Sequence, residues 1–117
     1  MRLCITAKGP SLGDDIDLSF GRAAYFLFHD PKTGELHAIP NSPGAHGAGV
    51  QAARIVAENG AKTVITGSVG PNAYRGLVAA GAEIYVGAEG TVADAIAAYK
   101  EGKLPRADGP SGRGHGR

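Results

Sequence analysis

Apolar residues gather in short blocks along this chain, and the spacing of the blocks changes half-way. Residues 2–7, Arg-Leu-Cys-Ile-Thr-Ala, show little alternation of polar and apolar side chains. That suits a strand covered on both faces. Lys8 to Ser19 interrupts the pattern with Gly9-Pro10, Gly13 and three aspartates, and reads as a loop. Ala24-Tyr25-Phe26-Leu27-Phe28-His29 is the strongest strand signal, because aromatic side chains pack well on a pleated surface. Asp30-Pro31-Lys32-Thr33-Gly34 then reads as a tight turn, in which proline presets φ and Gly34 takes the left-handed conformation. Glu35 to Ile39 returns as the partner strand. Three strands in a row, two of them joined by a short turn, predict an antiparallel meander.

The second half changes period. Residues 47–58 suit a helix, with Gln51, Arg54 and Glu58 as one polar stripe on an otherwise apolar cylinder. Asn59-Gly60 ends it, Gly60 being a natural residue just past a helix C-terminus. Thr63-Val64-Ile65-Thr66 is a short buried strand. Pro71 falls in the first turn of a second helix, where proline is tolerated. That helix is expected to pack Tyr74, Leu77 and Val78 inward and to stop at Gly81. Glu83 to Val86 is the next strand. Thr91 then caps a third helix with Asp94 three residues on, a capping-box arrangement. Val92, Ala95, Ile96 and Tyr99 form its buried stripe, and Gly102 ends it.

An internal echo supports this division. Gly60-Ala61, a strand, Gly67-x-x-Gly70 and a helix start are matched by Gly81-Ala82, a strand, Gly87-x-x-Gly90 and a helix start. Two strand–turn–helix units in succession imply parallel strands joined by right-handed crossovers. The order β-β-β-α-β-α-β-α gives an α/β domain with a mixed five-stranded sheet and helices on its faces. Residues 1–104 form this single domain. Residues 105–117 are Gly-, Pro- and Arg-rich with almost no apolar side chains, and are expected to form a disordered basic tail.

Charge and cysteine usage narrow the function classes. With 12 basic and 11 acidic residues, no net field points to nucleic acid or to a membrane surface. The balance is uneven: residues 103–117 hold Lys103, Arg106, Arg113 and Arg117 against Asp108, so the tail carries about +3. Cys4 is the single cysteine, which excludes an intramolecular disulfide, a four-cysteine zinc site and a self-contained iron–sulfur site. No apolar run approaches the roughly 18 residues of a membrane span, and no signal-peptide pattern opens the chain. A cytoplasmic protein is expected.

Two glycine-rich segments carry the candidate chemistry. Asn41-Ser42-Pro43-Gly44-Ala45-His46-Gly47-Ala48-Gly49 leads directly into the first helix. Glycines let a ligand approach the backbone, and free N–H groups at a helix start attract anions. Gly47 and Gly49 would cradle an anionic ligand there, with His46 as a metal ligand or hydrogen-bond donor. The plainer reading is a compact turn with a solvated histidine. Thr66-Gly67-Ser68-Val69-Gly70-Pro71-Asn72 again joins a strand's C-terminal end to a helix start, where ligands bind in open α/β sheets. Gly67, Gly70 and Asn72 are its candidate contacts; the plainer reading is a tight turn with Ser68 or Asn72 as caps. It matches neither a Walker loop nor the dinucleotide fingerprint.

Other chemistry is sparser. Cys4 lies in a predicted buried strand, where a lone cysteine behaves as a small apolar residue; at the mouth of the sheet it would supply a metal ligand. His29 and His37 lie on the two arms of the hairpin and read as unrelated polar residues. Asp14, Asp15 and Asp17 lack the ordered spacing of a calcium loop. No nucleophile, base and orienting group occur together.

These residues resemble a known family. Leu18-Ser19-Phe20-Gly21-Arg22-Ala23 before an aromatic strand, then Asp30-Pro31-x-Thr33-Gly34-Glu35, is similar to the first half of the dinitrogenase iron–molybdenum cofactor biosynthesis family of NifX, NafY and the NifB C-terminal domain. Val64-Ile65-Thr66-Gly67-x-Val69-Gly70-Pro71-Asn72-Ala73 is the most specific match. Gly47-Ala48-Gly49-Val50-Gln51 and Gly90-Thr91-Val92-x-x-Ala95-Ile96 extend it, so that residues 2–104 are covered. The resemblance implies a ribonuclease-H-like three-layer α/β/α fold. It implies a carrier that holds an iron–sulfur or iron–molybdenum cluster, or a precursor, between donor and acceptor proteins and catalyses nothing. Ser19 stands where nitrogenase-linked relatives often place histidine, and serine is a poor ligand for iron or molybdenum. The ligand role then falls to His46 or Cys4. One cysteine and few histidines do not complete a ligand set, so a cluster would be shared in a homodimer or bring its own ligands. The alternatives are a module for a small anion or nucleotide without metal, or an interaction domain whose basic tail meets an acidic partner. The strand cores Leu3–Thr6 and Val64–Thr66 hold no carboxylate, which argues against a two-metal nuclease.

Overall fold

The computed structural model describes residues 2–41 and 48–110. The elements are β1 (Leu3–Ala7), β2 (Tyr25–His29), β3 (Leu36–Pro40), α1 (Ala48–Glu58), β4 (Thr63–Ile65), α2 (Pro71–Ala79), β5 (Glu83–Tyr85) and α3 (Val92–Lys100), in the expected order. In space the strands run β3-β2-β1-β4-β5. β1 is central, antiparallel to β2 and parallel to β4, and β4 is parallel to β5.

Alternation along β1 builds two cores. Leu3, Ile5 and Ala7 join Leu27 and Ile65 beneath Val92, Ala95 and Ile96 of α3. Cys4 points to the other face, with Phe26, Phe28, Val64 and Ile84, where α1 and α2 supply Ala52, Val56, Ala73 and Leu77. One helix covers one face and two cover the other, which is the three-layer ribonuclease-H-like arrangement. Every β1 residue is buried. Each fully buried large apolar side chain contributes roughly 1.5–3 kcal/mol, so truncations in the central strand are costly.

Local signals set the ends of the elements. In the β2–β3 turn the Lys32 amide donates to Asp30 Oδ1 at 2.9 Å, and this bond holds the Asp30 carboxyl below its ordinary pKa. Gly34 closes the turn at φ 83°. All three helices end alike: Ala61, Ala82 and Lys103 donate back to the carbonyls of Val56, Leu77 and Ala98, each across a glycine with positive φ. This is the Schellman arrangement. At the start of α3, the Thr91 side chain accepts from the Asp94 amide and the Asp94 side chain accepts from the Thr91 amide, as the capping box predicts.

Two expectations need correction. Val78 is 50% exposed rather than packed inward. The buried stripe of α2 is Ala73 and Leu77, and one residue further turns the side chain about 100° toward solvent. The tail is not disordered from residue 105. Val86 N–H donates to the Pro105 carbonyl at 3.0 Å and Ala107 N–H donates to the Ile84 carbonyl at 2.7 Å. Arg106 reaches Glu83 at 3.7 Å. Composition argued for disorder, but β5 is an outer strand whose open backbone groups favour a partner, and residues 105–107 provide one. Residues 111–117, His115 among them, lie outside the described residues.

Candidate functional site

The parallel strands β1 and β4 end side by side, and the chain that leaves β1 comes back across them. Asp17 N–H donates to the Thr6 carbonyl at 3.0 Å, and Phe20 N–H donates to the Ser68 carbonyl at 3.1 Å. Ser68 Oγ donates to the Leu18 carbonyl at 3.1 Å. The two segments lie so close that a Cβ on Gly67 would sit 2.6 Å from the Leu18 oxygen. Glycine at position 67 therefore serves close packing of two backbones. Asn41 ties the end of β3 to the same place, donating from its side chain to the Ala23 carbonyl at 2.9 Å.

This crossing leaves a cavity of about 240 Å³ lined by Ser19, Gly21, Arg22, Gly70, Pro71, Asn72 and Ala73. One wall is the returning segment, and the other is the start of α2. Gly70 is the cap residue of α2, extended at φ −77°, and no side chain caps the helix. The first amides of a helix have no intrahelical partner. Pro71 contributes none, so Asn72 and Ala73 present the open donors. The helix dipole adds positive character there, and exposed Arg22 adds a full charge. The Asn72 side chain faces sideways, accepting from Arg75 at 2.7 Å. The arrangement suits a negatively charged ligand.

A larger opening of about 320 Å³ lies between α2 and β5, lined by Tyr74, Val78, Glu83, Ile84 and Arg106 among others. Its charged groups already pair with each other. It offers neither the C-terminal end of a strand nor a helix start, so the smaller pocket is the better site.

Of the expected site residues, the structure brings Gly70 and Asn72 to the pocket and puts Gly67 just behind it. Gly49 lies in the first turn of α1. His46 and Gly47 lie outside the described residues. Cys4 is in the wrong place for a ligand. It is fully buried, flanked by Phe28 and Val64 in the sheet, and burial pushes its thiol pKa far above the ordinary value. A metal needs the thiolate. His29 opposes Leu36 while His37 opposes Phe28, so the two imidazoles leave opposite faces of the hairpin. His29 Nδ1 is bonded to the Glu35 carbonyl at 2.9 Å. Asp14 caps Ser11 and Asp17 accepts from the Ala24 amide, so these carboxylates hold their own loop. Among the described residues no three His, Cys, Asp or Glu side chains gather to hold a metal ion. Arg22 was not singled out by sequence reasoning; its signal was the position directly after Phe20-Gly21.

A family model described as dinitrogenase iron-molybdenum cofactor matches residues 1–102. The chain belongs to that family. The orange protein of Desulfovibrio gigas, solved in its apo form, is 39% identical with a TM-score of 0.90, covering 94% of this chain and 95% of that one. A NifB-like Thermotoga protein solved by NMR is 32% identical with a TM-score of 0.85, covering 97% and 98%. An uncharacterized protein of Methanocaldococcus jannaschii is 29% identical over 92 residues, 74% of this chain and 78% of that protein.

Proposed function

We propose that the chain is a non-catalytic carrier for an iron–sulfur or iron–molybdenum type metallocluster, or a precursor of one, held between residues 19–22 and the start of α2. The uncapped start of α2 beside Arg22 carries this reading. A cluster that brings its own sulfide ligands is an anion. Backbone donors, a helix dipole and a guanidinium hold such an anion by charge and hydrogen bonds. The described residues favour that mode over direct coordination, because they gather no ligand set. Family membership supports the class of cargo. His46, a candidate on sequence grounds, would add one direct ligand. Transfer needs a donor and an acceptor protein, and a homodimer would let two chains share one cluster. No described helix is long and apolar enough to cross a membrane, and the carrier is read as working in the cytoplasm.

Anaerobic reconstitution with ferrous iron and sulfide, with and without molybdate, tests this. After desalting, the protein is expected to retain metal and show charge-transfer bands. Retention falls in Arg22→Ala and in His46→Ala and persists in Cys4→Ala. A colourless, metal-free protein under every condition would sink the reading.

The same uncapped helix start favours a second reading, a small-anion or nucleotide module without metal, since it needs no ligating side chain. A rise in Tm with added phosphate that survives His46→Ala would mark it.

A further inference from the structure

Behind the pocket, two buried polar side chains meet within the sheet. Thr6 and Thr66 stand at the ends of neighbouring parallel strands, and both are fully buried. Their hydroxyl oxygens are 2.8 Å apart. Thr6 Oγ1 also lies 2.7 Å from the Asp17 carbonyl oxygen. A hydroxyl carries one proton. The carbonyl can only accept, so the Thr6 proton goes to Asp17, and Thr66 supplies the proton between the two threonines. The backbone closes the ring, because Asp17 N–H donates to the Thr6 carbonyl. Thr66 is itself fixed on the far side: its amide donates to Tyr85 at 3.0 Å, and its carbonyl accepts from Ala88 at 3.2 Å.

These atoms sit where the two walls begin. The wall of Ser19, Gly21 and Arg22 leaves from Asp17, and the wall of Gly70 to Ala73 leaves from Thr66. Valine would fill either site with nearly the same volume and no hydroxyl to satisfy. A buried hydroxyl is costly unless bonded, so the pair calls for a role that apolar packing does not fill. We infer that the Thr66–Thr6–Asp17 hydroxyl chain is the positioning element that sets the distance between the two walls, and through it the size of anion the pocket accepts. Neither threonine lines the pocket. The anion half of this inference rests on the reading proposed above; the positioning half does not.

Thr66→Val, Thr6→Val, the double variant and Thr66→Ser, each in the full chain, test it. Without ligand, amide exchange at Phe20, whose N–H spans to Ser68, is expected to quicken at least tenfold in Thr66→Val, while amides of β2 keep their wild-type rates. Retention of iron after reconstitution with iron and sulfide falls at least fivefold. Thr66→Ser restores both. Wild-type Phe20 exchange in a folded Thr66→Val protein overturns the positioning role. Quickened exchange with wild-type iron retention overturns the link to anion size. If the wild-type chain retains no iron, the carrier reading fails and the exchange result alone decides the positioning. If the double variant does not fold, Thr66→Val carries the test, because it leaves the Thr6–Asp17 bond intact.

Discussion

The starts of α2 and α3 follow the same spacing of glycines and end in opposite states. Both follow a Gly-x-x-Gly turn at the end of a parallel strand. At α3, Gly87 and Gly90 take positive φ, and the helix then begins on Thr91. The Asp94 carboxylate folds back over Gly90, 2.7 Å from where a Cβ would sit. That helix start is filled by its own side chains. At α2 the position matching Thr91 is Pro71 and the one matching Asp94 is Tyr74. Gly70 becomes the cap, extended and without a side chain, so the helix starts one residue earlier and stays open. The capping pair that seals one helix start is thus missing from the other, which is left able to take a ligand.

The largest effect is expected at the glycines. Gly67→Ala puts a methyl group 2.6 Å from the Leu18 oxygen, a clash with backbone that cannot swing away. Overpacking of this kind costs about 1–3 kcal/mol, and the high end is expected here, with loss of iron retention. Its counterpart, Gly87→Ala, meets nothing nearer than Pro105 Cδ at 3.9 Å and strains only its positive φ, a cost of about 1 kcal/mol. Urea unfolding of the two variants checks the order. Equal costs would mean that the two turns are interchangeable after all.

Sealing α2 is the direct test of the contrast. Gly70→Asp supplies the missing cap and a negative charge. Stability is expected to change by only a few tenths of a kcal/mol, because glycine is itself a fair cap residue. Retention of the iron–sulfide product should fall about tenfold, about 1.4 kcal/mol. Undiminished retention would move the ligand away from this helix. Conversely, Thr91→Ala should cost about 1 kcal/mol of stability and leave retention unchanged.

The sequence made one helix start more legible than the other for a physical reason. A capping box is local: Thr91 and Asp94 are three residues apart, and their chemistry is complete within one turn. The glycine ends of all three helices and the Asp30–Gly34 turn are legible on the same ground. The open pocket is not local, since Ser68 meets a carbonyl 50 positions away. Arg22 is exposed and sits in a loop, so no periodicity marks it. Residues 105–107 read as disordered because their composition says nothing about the bare edge of β5 that they meet. Cys4 could be read as buried from its strand; what the sequence did not tell was that its neighbours, Phe28 and Val64, keep it inside the sheet.

The smallest expected effect concerns Arg22, and it separates charge from shape. An exposed guanidinium acts through water and is screened by salt, so such a contact is worth at most about 1 kcal/mol. Arg22→Gln should therefore lower retention about threefold in low salt and hardly at all near 1 M salt, where the Debye length is about 3 Å. Gly70→Asp acts partly by occupying the helix start, so its loss should persist in high salt. If both variants lost their effect together on adding salt, the uncapped amides of α2 would contribute only to the general positive field. If Arg22→Gln remained defective at high salt, the guanidinium would be making a direct, desolvated contact, and the closed pocket would be tighter than its walls now suggest.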